Sequence, residues 1–457
     1  MAAPRMQDDP KVTTLDRLIG WISPRTGLAR HFDRLRLQRA YDAASPRDSW
    51  KPRRAGASAN TDHQSDAATL RNKARALVQN VPYIRAGLEA LVSNTVGTGI
   101  VTYSTSKRYA DILNPLYEEW AKVCDADGRL DLYGMQAAAD RAMEQDGEVL
   151  IRLRPRYTSD GYPVPLQLQL IEIDWIDTAR MSGAVGNNTI INGIEYDIFG
   201  APAAYWLWDR HPGEQVGTLR SAMRTQSTRI PASSIIHLYS PDRPGAGRGI
   251  TRLASVIPRV RDLQLYEDAE LARKNLETRL GVLVSGDVSS MANPVAYSTP
   301  ADPEAAARTG DLGQLPSGGI VGVPPGVNIT TVAPQPSVGY VDYVKQQLHL
   351  IAVGMGVTYE MLTGDMRDVN FSSARVRLID FRRQIEALQW LCPVPRLCLP
   401  IWHAFVDAAV LAGKIQRPDY ACDHSMPKWD YVNPQQDAEA ELTLIGAGLL
   451  TISESLR

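Results

Sequence analysis

Cysteine is scarce: the chain has four in 457 residues. So few thiols exclude the disulfide framework of a small secreted domain and fit a reducing compartment. Cys392, Cys398, Cys422 and His424 do not read as a zinc set, because neither half has the close spacing by which one short loop presents two thiolates. They are expected to be buried single thiols. Charge of one sign is missing as well, since 49 basic residues face 51 acidic ones and the net charge is −2. No whole-molecule field therefore draws the chain onto nucleic acid or an anionic membrane. A protein that grips DNA through its phosphates is usually basic; this balance suits a surface that DNA passes. Every apolar run is interrupted before the ~20 residues a bilayer crossing needs, so no membrane partner is expected. Arg5, Asp8, Asp9, Lys11, Asp16 and Arg17 flank or break the only candidate stretch near the N-terminus, and no secretory signal is expected there.

Signatures of catalysis are missing too. A phosphate-cradling loop needs Gly-x4-Gly-Lys-Ser/Thr, so that backbone N–H groups and the lysine surround the phosphates. Gly413-Lys414 is followed by Ile415 and lacks the preceding glycine, so ATP hydrolysis is not expected. There is no Gly-x-Ser-x-Gly elbow and no His-Glu-x-x-His helix. The run Gly245-Ala246-Gly247-Arg248-Gly249, with Glu267 beyond it, resembles a dinucleotide fingerprint only loosely. Its third glycine is at the wrong offset and no repeated strand–helix–strand units surround it, so a flexible entry to the next helix is expected. Asp146, Glu148, Glu172, Asp174 and Asp177 could converge from strand ends to hold two metals, as in nucleases. Strand-end acids are more often solvated. A metal-dependent nuclease therefore stands as the alternative reading, and no metal or cofactor is expected. His211, His237, His349 and His403 have no partner at catalytic or metal spacing and read as structural.

What is present is the element pattern of an α+β protein, long enough for about three domains. Residues 1–75 hold 15 basic and 8 acidic residues, Arg34, Arg36, Arg39, Arg53 and Arg54 among them. This arm is either solvated or in contact with nucleic acid or a partner. Residues 42–67 are polar, Pro/Gly/Ser-rich and aperiodic, which predicts an extended stretch. Leu70, Ala74, Leu77 and Val81 have helical spacing; Pro82 suits the first turn of a second helix that ends at Gly97 and Gly99. Helices are predicted over 109–123 and 132–146. After Gly147 the period becomes that of strands, at 149–154, 166–173 and 233–239, with a hairpin across 193–209. From Thr251 one helix is predicted to about Arg279, roughly 40 Å long. A second begins near Tyr340 and stops at Gly354. Between them, a short strand at 280–284 and a hairpin-like run at 318–332 suggest a small β-rich module on a helical stalk. Residues 362–374 favour turns, and a helix over 375–391 carries Leu378, Phe381, Ile385 and Leu388 as its apolar stripe.

Seven stretches, weak singly, fall in one order. They are RNKARALVQNVPYIRAGLEALVSNTVGTGI (71–100), QDGEVLIRLR (145–154), LQLIEIDWIDT (168–178), NGIEYDIFGAPAAYWLWDRHPGE (192–214), IPASSIIHLYSPDRPGAGRGIT (230–251), GVTYEMLTGDMRDVNFSSARV (356–376) and KWDYVNPQQDAEAE (428–441). In that order the chain resembles the lambda-type bacteriophage portal family over residues 30–457. The resemblance implies an α+β portal fold: an extended basic arm (1–69), an α/β wing (70–250), stem helices (251–279 and 336–355), a β-containing clip (280–335), a tunnel-loop region (356–374), a wing helix (375–412) and a helical crown (413–457). The run DAEAELTLIGAGLLTISESLR resembles a motif that normally continues as acidic helix, which implies a short or truncated crown.

The function so implied is structural, not enzymatic: a ring at one capsid vertex through which double-stranded DNA is packaged and ejected. Implied partners are further copies of the chain, as a dodecamer, together with DNA, the major capsid protein, the large terminase subunit and a head-completion or adaptor protein. The implied location is the virion, after assembly in the bacterial cytoplasm. In the tunnel loop Arg367 and Asn370 would meet phosphate, with Asp365 and Asp368 limiting the attraction; the alternative is that Arg367 simply pairs with these aspartates. In the clip, Asp302, Glu304, Arg308 and Asp311 would meet partner proteins. Besides the nuclease, a head protein without a channel is the remaining alternative.

Overall fold

The computed structural model describes residues 56–213, 226–278, 281–285, 328–332, 339–367, 369–429, 433–449 and 451–452. Helix α1 (Ala59–Asn80) runs into α2 (Pro82–Thr95), with Pro82 in the first turn, where a missing N–H leaves no bond unmade. The expected extended stretch therefore ends earlier than residue 67. The inward residues of the first half of α1 are His63, Ala67 and Arg71, which carry little apolar signal, so hydrophobic periodicity starts only at Leu70.

Strand β1 (Val101–Ser104), α3 (Ala110–Ala121) and α4 (Leu132–Asp146) follow. Asp131 caps α4 by accepting the Gly134 N–H at 2.7 Å. Gly147 closes it at φ +95°, and a Cβ there would stand 2.5 Å from the backbone carbon of Ile250. The chain can turn from helix to strand at that point only with glycine.

The next seven strands form two small antiparallel sheets. They are β2 (Glu148–Pro155), β3 (Leu166–Ile171), β4 (Thr189–Ile191), β5 (Ile194–Tyr196), β6 (Pro202–Trp208), β7 (Ser227–Pro231) and β8 (Ile235–Tyr239). One sheet has the order β3-β2-β8, the other β4-β5-β6-β7. Alternate residues of β2 serve two cores, as a strand period requires. Val149 and Ile151 join a core in which the rings of Tyr117, Trp120, Trp402 and Phe405 pack with centroids 4.9 to 5.5 Å apart. Leu150 faces Ile171, Ile194, Tyr205, Leu207 and Ile235.

The long helix is shorter than expected. Arg252–Ser255 form a 3-10 turn, and α5 (Ile257–Thr278) begins after it. Its 22 residues span about 33 Å. Strand β9 (Gly281–Ser285) follows, and β10 (Asn328–Val332) pairs with it antiparallel before α6 (Tyr340–Met355). Residues 318–327 of the expected hairpin lie outside the described residues. Helices α5 and α6 run in opposite directions, since Arg259 Nη1 lies 3.4 Å from Gln347 Oε1 and Tyr266 stacks on Tyr340. They share an apolar core with α1 and α2 through Val260, Leu263, Leu348, Ile351, Ile84 and Leu91.

The rest is α7 (Tyr359–Thr363), α8 (Phe371–Leu391), a π-helical run at Val394–Cys398, α9 (Leu399–Leu411), β11 (Cys422–Ser425) and α10 (Pro434–Gly446). Phe381 and Ile385 of the predicted stripe are buried. The C-terminal segment is not helical throughout: β11 pairs with β1, over three hundred residues away in sequence. Ser372–Leu411, counter to expectation, is apolar enough by length and composition to cross a membrane. Half of its most apolar window is buried within the protein, as in a core helix.

A close approach sets how α6 meets the turn that leads into α5: a Cβ at Gly354 would stand 2.3 Å from Val256 Cγ1. Gly354→Ala is therefore expected to lower stability by about 1–3 kcal/mol, through overpacking. Denaturant unfolding checks this, and an unchanged midpoint would show that α6 and the turn can part freely.

Candidate functional site

Two places combine polar chemistry with a position between elements: a buried ionic cluster at the foot of α5, and the loop between α7 and α8. In the first, Glu148, at the start of β2, is cut off from water. Arg248 grips it from both sides, Nε and Nη2 each donating at 2.7 Å. His237 Nε2 lies 3.1 Å away and His63 Nε2 3.3 Å, and the Gly249 N–H donates at 3.2 Å. Arg248 also donates to the Asn192 carbonyl at 2.8 Å. Burial would raise the pKa of Glu148, but Arg248 and the two histidines outweigh it and hold the carboxyl well below its usual range. Burial pushes His237 down, against the pull of Glu148.

The glycine run 245–249 is thus an anchored loop and not a flexible entry. Asn60 accepts the Gly247 N–H at 2.9 Å and donates to the Gly245 carbonyl at 3.3 Å. Arg252 follows and grips Glu144 of α4, Nη2 to Oε1 at 2.9 Å.

The carboxylates offered for a nuclease are mostly engaged with bases of the chain itself. Arg75 binds Asp146 at 3.0 Å and Asp174 at 2.7 Å, and Arg71 binds Asp174 at 3.0 Å. His211 stands 3.3 Å from Glu172. Glu172, Asp174 and His211 have ligand atoms within 4.8 Å of one another, but two guanidinium groups already occupy Asp174. Asp177 is buried in the following turn, its N–H donating to the Trp206 carbonyl at 2.9 Å. A two-metal centre needs these carboxylates free to converge; here Asp146, Glu148 and Asp174 are engaged by arginines.

The cysteines are dispersed among packing positions. Cys392 contacts Met143 Sδ at 3.4 Å, and burial pushes its thiol up to about 11. Burial takes Cys398 up to about 12. His424 Nδ1 lies 3.0 Å from Thr102 Oγ1. His349 stacks on Tyr359 and His403 packs on Tyr420, with centroids 4.1 and 4.7 Å apart.

The second place is shorter than the predicted loop. Thr358 caps α7 by accepting the Met361 N–H at 3.3 Å, and Gly364 ends it in the left-handed conformation. Asp365 then accepts two bonds from the Arg367 side chain, at 2.9 and 2.7 Å, and one from the Arg367 N–H at 3.1 Å. Those bonds hold the Asp365 carboxyl far below its ordinary range. Arg367 remains 81% exposed. Asn370 is the cap of α8, its Oδ1 accepting the Ser373 N–H at 2.8 Å. That oxygen is committed to the helix, a role that an Asn just before a helical run signals in sequence. Asp368, Asp302, Glu304, Arg308 and Asp311 lie outside the described residues.

Comparison with known proteins places these features in a family. Residues 45–389 match the family described as phage portal protein, lambda family. A probable portal protein of Halomonas phage phiHAP-1 is 26% identical over 428 residues, covering 90% of this chain and 80% of its own. Among solved structures, a chain from the neck of an empty gene transfer agent particle is 14% identical, with a TM-score of 0.48 over 90% of this chain and 94% of that one. An HK97 family phage portal protein from Corynebacterium diphtheriae is 12% identical, with a TM-score of 0.35 over 67% and 85% of the two chains.

Two outcomes test the ionic cluster. Glu148→Ala strands Arg248 without its partner and is expected to cost about 3–5 kcal/mol in thermal or denaturant unfolding; a cost near zero would mean that the cluster relaxes easily. The second is a pH dependence. The folded pKa of His237 lies below the ordinary 6.5, so the unfolded chain takes up the proton first as the pH falls. Its contribution is complete above that value and declines below it. The unfolding midpoint should therefore drop less steeply between pH 7 and 5 in His237→Asn than in the natural chain; identical slopes would contradict this.

Proposed function

The chain belongs to the lambda family of phage portal proteins, and from that premise we propose how its parts serve the channel of the head. The family's role is structural. The observation that supports the proposal most directly is the antiparallel pair α5 and α6 joined through β9 and β10. Residues 286–327 would, in this reading, be carried at the far end of that helical pair. In this reading α5 and α6 are the stem, residues 280–335 the clip, the sheets with α1 to α4 the wing, and the segment from 413 the crown.

Copies of the chain would close into a dodecameric ring. Leu265 and Leu271 of α5, and Val341 and Val353 of α6, are exposed in the single chain. Apolar side chains along a stalk favour cover by the next copy, in a head-to-tail contact that closes when the rotation allows. The ring would sit in the major capsid shell of the virion after assembly in the bacterial cytoplasm. DNA would pass along its axis, with the terminase and then a head-completion protein at the clip.

The loop from Gly364 to Asn370 would face the duplex. Its chemistry suits sliding: the Arg367 guanidinium is already engaged by Asp365, and the Asn370 side-chain oxygen is committed to its cap. One screened contact per copy is weak and salt-sensitive.

Two experiments test these assignments. Arg367→Ala is expected to reduce DNA retention in filled heads by about twofold to fivefold, more at low salt than at high salt; unchanged packaging and retention would remove the loop from the DNA path. Replacing residues 286–327 by a short Gly-Ser linker is expected to leave rings intact while terminase binding is lost. Undiminished terminase binding would place the docking surface elsewhere.

A further inference from the structure

Most arginines that touch the sheets have an acid. Arg229 holds Glu195, Arg248 holds Glu148 and Arg75 holds Asp146. Arg152 and Arg154 of β2, and Arg156 just past its end, are different. Among the described residues, no carboxylate lies within salt-bridge range of any of the three. Arg152 stands between Gln169 of β3 and Ile235 of β8, and Arg154 stands opposite Gln167. The single side-chain bond in the group is neutral at its acceptor, Arg156 Nε to Gln167 Oε1 at 2.8 Å. Pairing with the β3 side continues past the strand end, since the Arg156 N–H donates to the Pro165 carbonyl at 2.9 Å. All three side chains are half-buried, so their charges are held along the sheet and not dispersed in solvent. Burial and the like charge of Arg154 both push Arg152 down. The next residue, Tyr157, is 80% exposed.

We propose that this face of the β2–β3 hairpin binds an extended acidic segment of another protein, with carboxylates on alternate residues. The spacing carries the argument. Same-face side chains of an extended chain recur every ~6.6–6.8 Å, so alternate carboxylates on a bound segment meet Arg152, Arg154 and Arg156 in register. Each guanidinium presents the planar fork that pairs bidentately with a carboxylate. Tyr157 at the end of the row offers the rigid, amphipathic ring typical of protein interfaces. A long polyphosphate fits worse. The row is only three cations long, and Asp160, exposed at the hairpin tip, takes the Tyr157 N–H at 3.0 Å and would face a phosphate backbone running on.

The test is fluorescence anisotropy with the purified full chain and three labelled probes. The first is an alternating Glu-Thr octapeptide, the second a peptide of the same composition with its acids in one block, and the third a short DNA duplex. The alternating peptide is expected to bind saturably and more tightly than the block. Arg152→Gln with Arg154→Gln should weaken it by about tenfold or more, as expected for loss of charge-assisted bonds. Circular dichroism checks that this variant is folded. If it is not, Arg156→Gln, which lies outside the strand, is expected to weaken binding by about threefold on the same grounds. No saturable binding, equal binding of the two peptides, or a duplex that binds more tightly and displaces the peptide would each overturn the proposal.

Discussion

Glu148 lies out of contact with water where the foot of α1, the first residue of β2, the β4–β5 turn, the inner strand position of His237 and the glycine loop all meet. A carboxylate buried there is tolerable only because Arg248 matches both of its oxygens and the remaining lone pairs are taken by His63, His237 and the Gly249 N–H. Each of those partners comes from a different stretch of chain, so the charge selects one arrangement of all of them. An apolar residue of similar size could fill the space, but it would accept many neighbours equally well.

The same constraint sets where the stalk begins. Arg248 is fixed by Glu148, and four residues on Arg252 is fixed by Glu144, so the segment leading into α5 is pinned to both sides of the α4–β2 junction. Gly147 lets the backbones cross at that junction, and Gly354 lets α6 lie against the turn that leads into α5. The path from the sheets to the paired helices is therefore rigid at its root. Exposed apolar residues of α5 and α6 are those that a neighbouring copy would cover in the proposed ring.

Much of this fold was legible in the sequence, where burial of apolar side chains decides the element. Alternation in β2 and β3, the hairpin around Gly200 and the stripe of α8 emerge where their patterns place them. What escaped had another cause. The first half of α1 is driven inward by His63 and Arg71, which bind acids about a hundred residues away, and no local period reports that. Strand β11 exists because β1 needs an antiparallel neighbour, a demand invisible within residues 422–425. The start of α5 moved because Thr251 caps a tighter turn by accepting the Leu253 N–H. At the candidate site, Asn370 stood in a helix-capping context that local reading could have recognised, whereas the pairing of Arg367 with a neighbouring aspartate was one of the two readings the sequence offered, and side-chain geometry picks out Asp365.

The central claim is that copies of this chain close into a channel. Negative-stain electron microscopy of the purified protein, with particle mass measured alongside, tests it most directly. The account predicts hollow rings of about a dozen subunits with a stalk on one face. A monomer or dimer without a channel would contradict it, and would leave the apolar faces of α5 and α6 without the neighbour that the ring supplies.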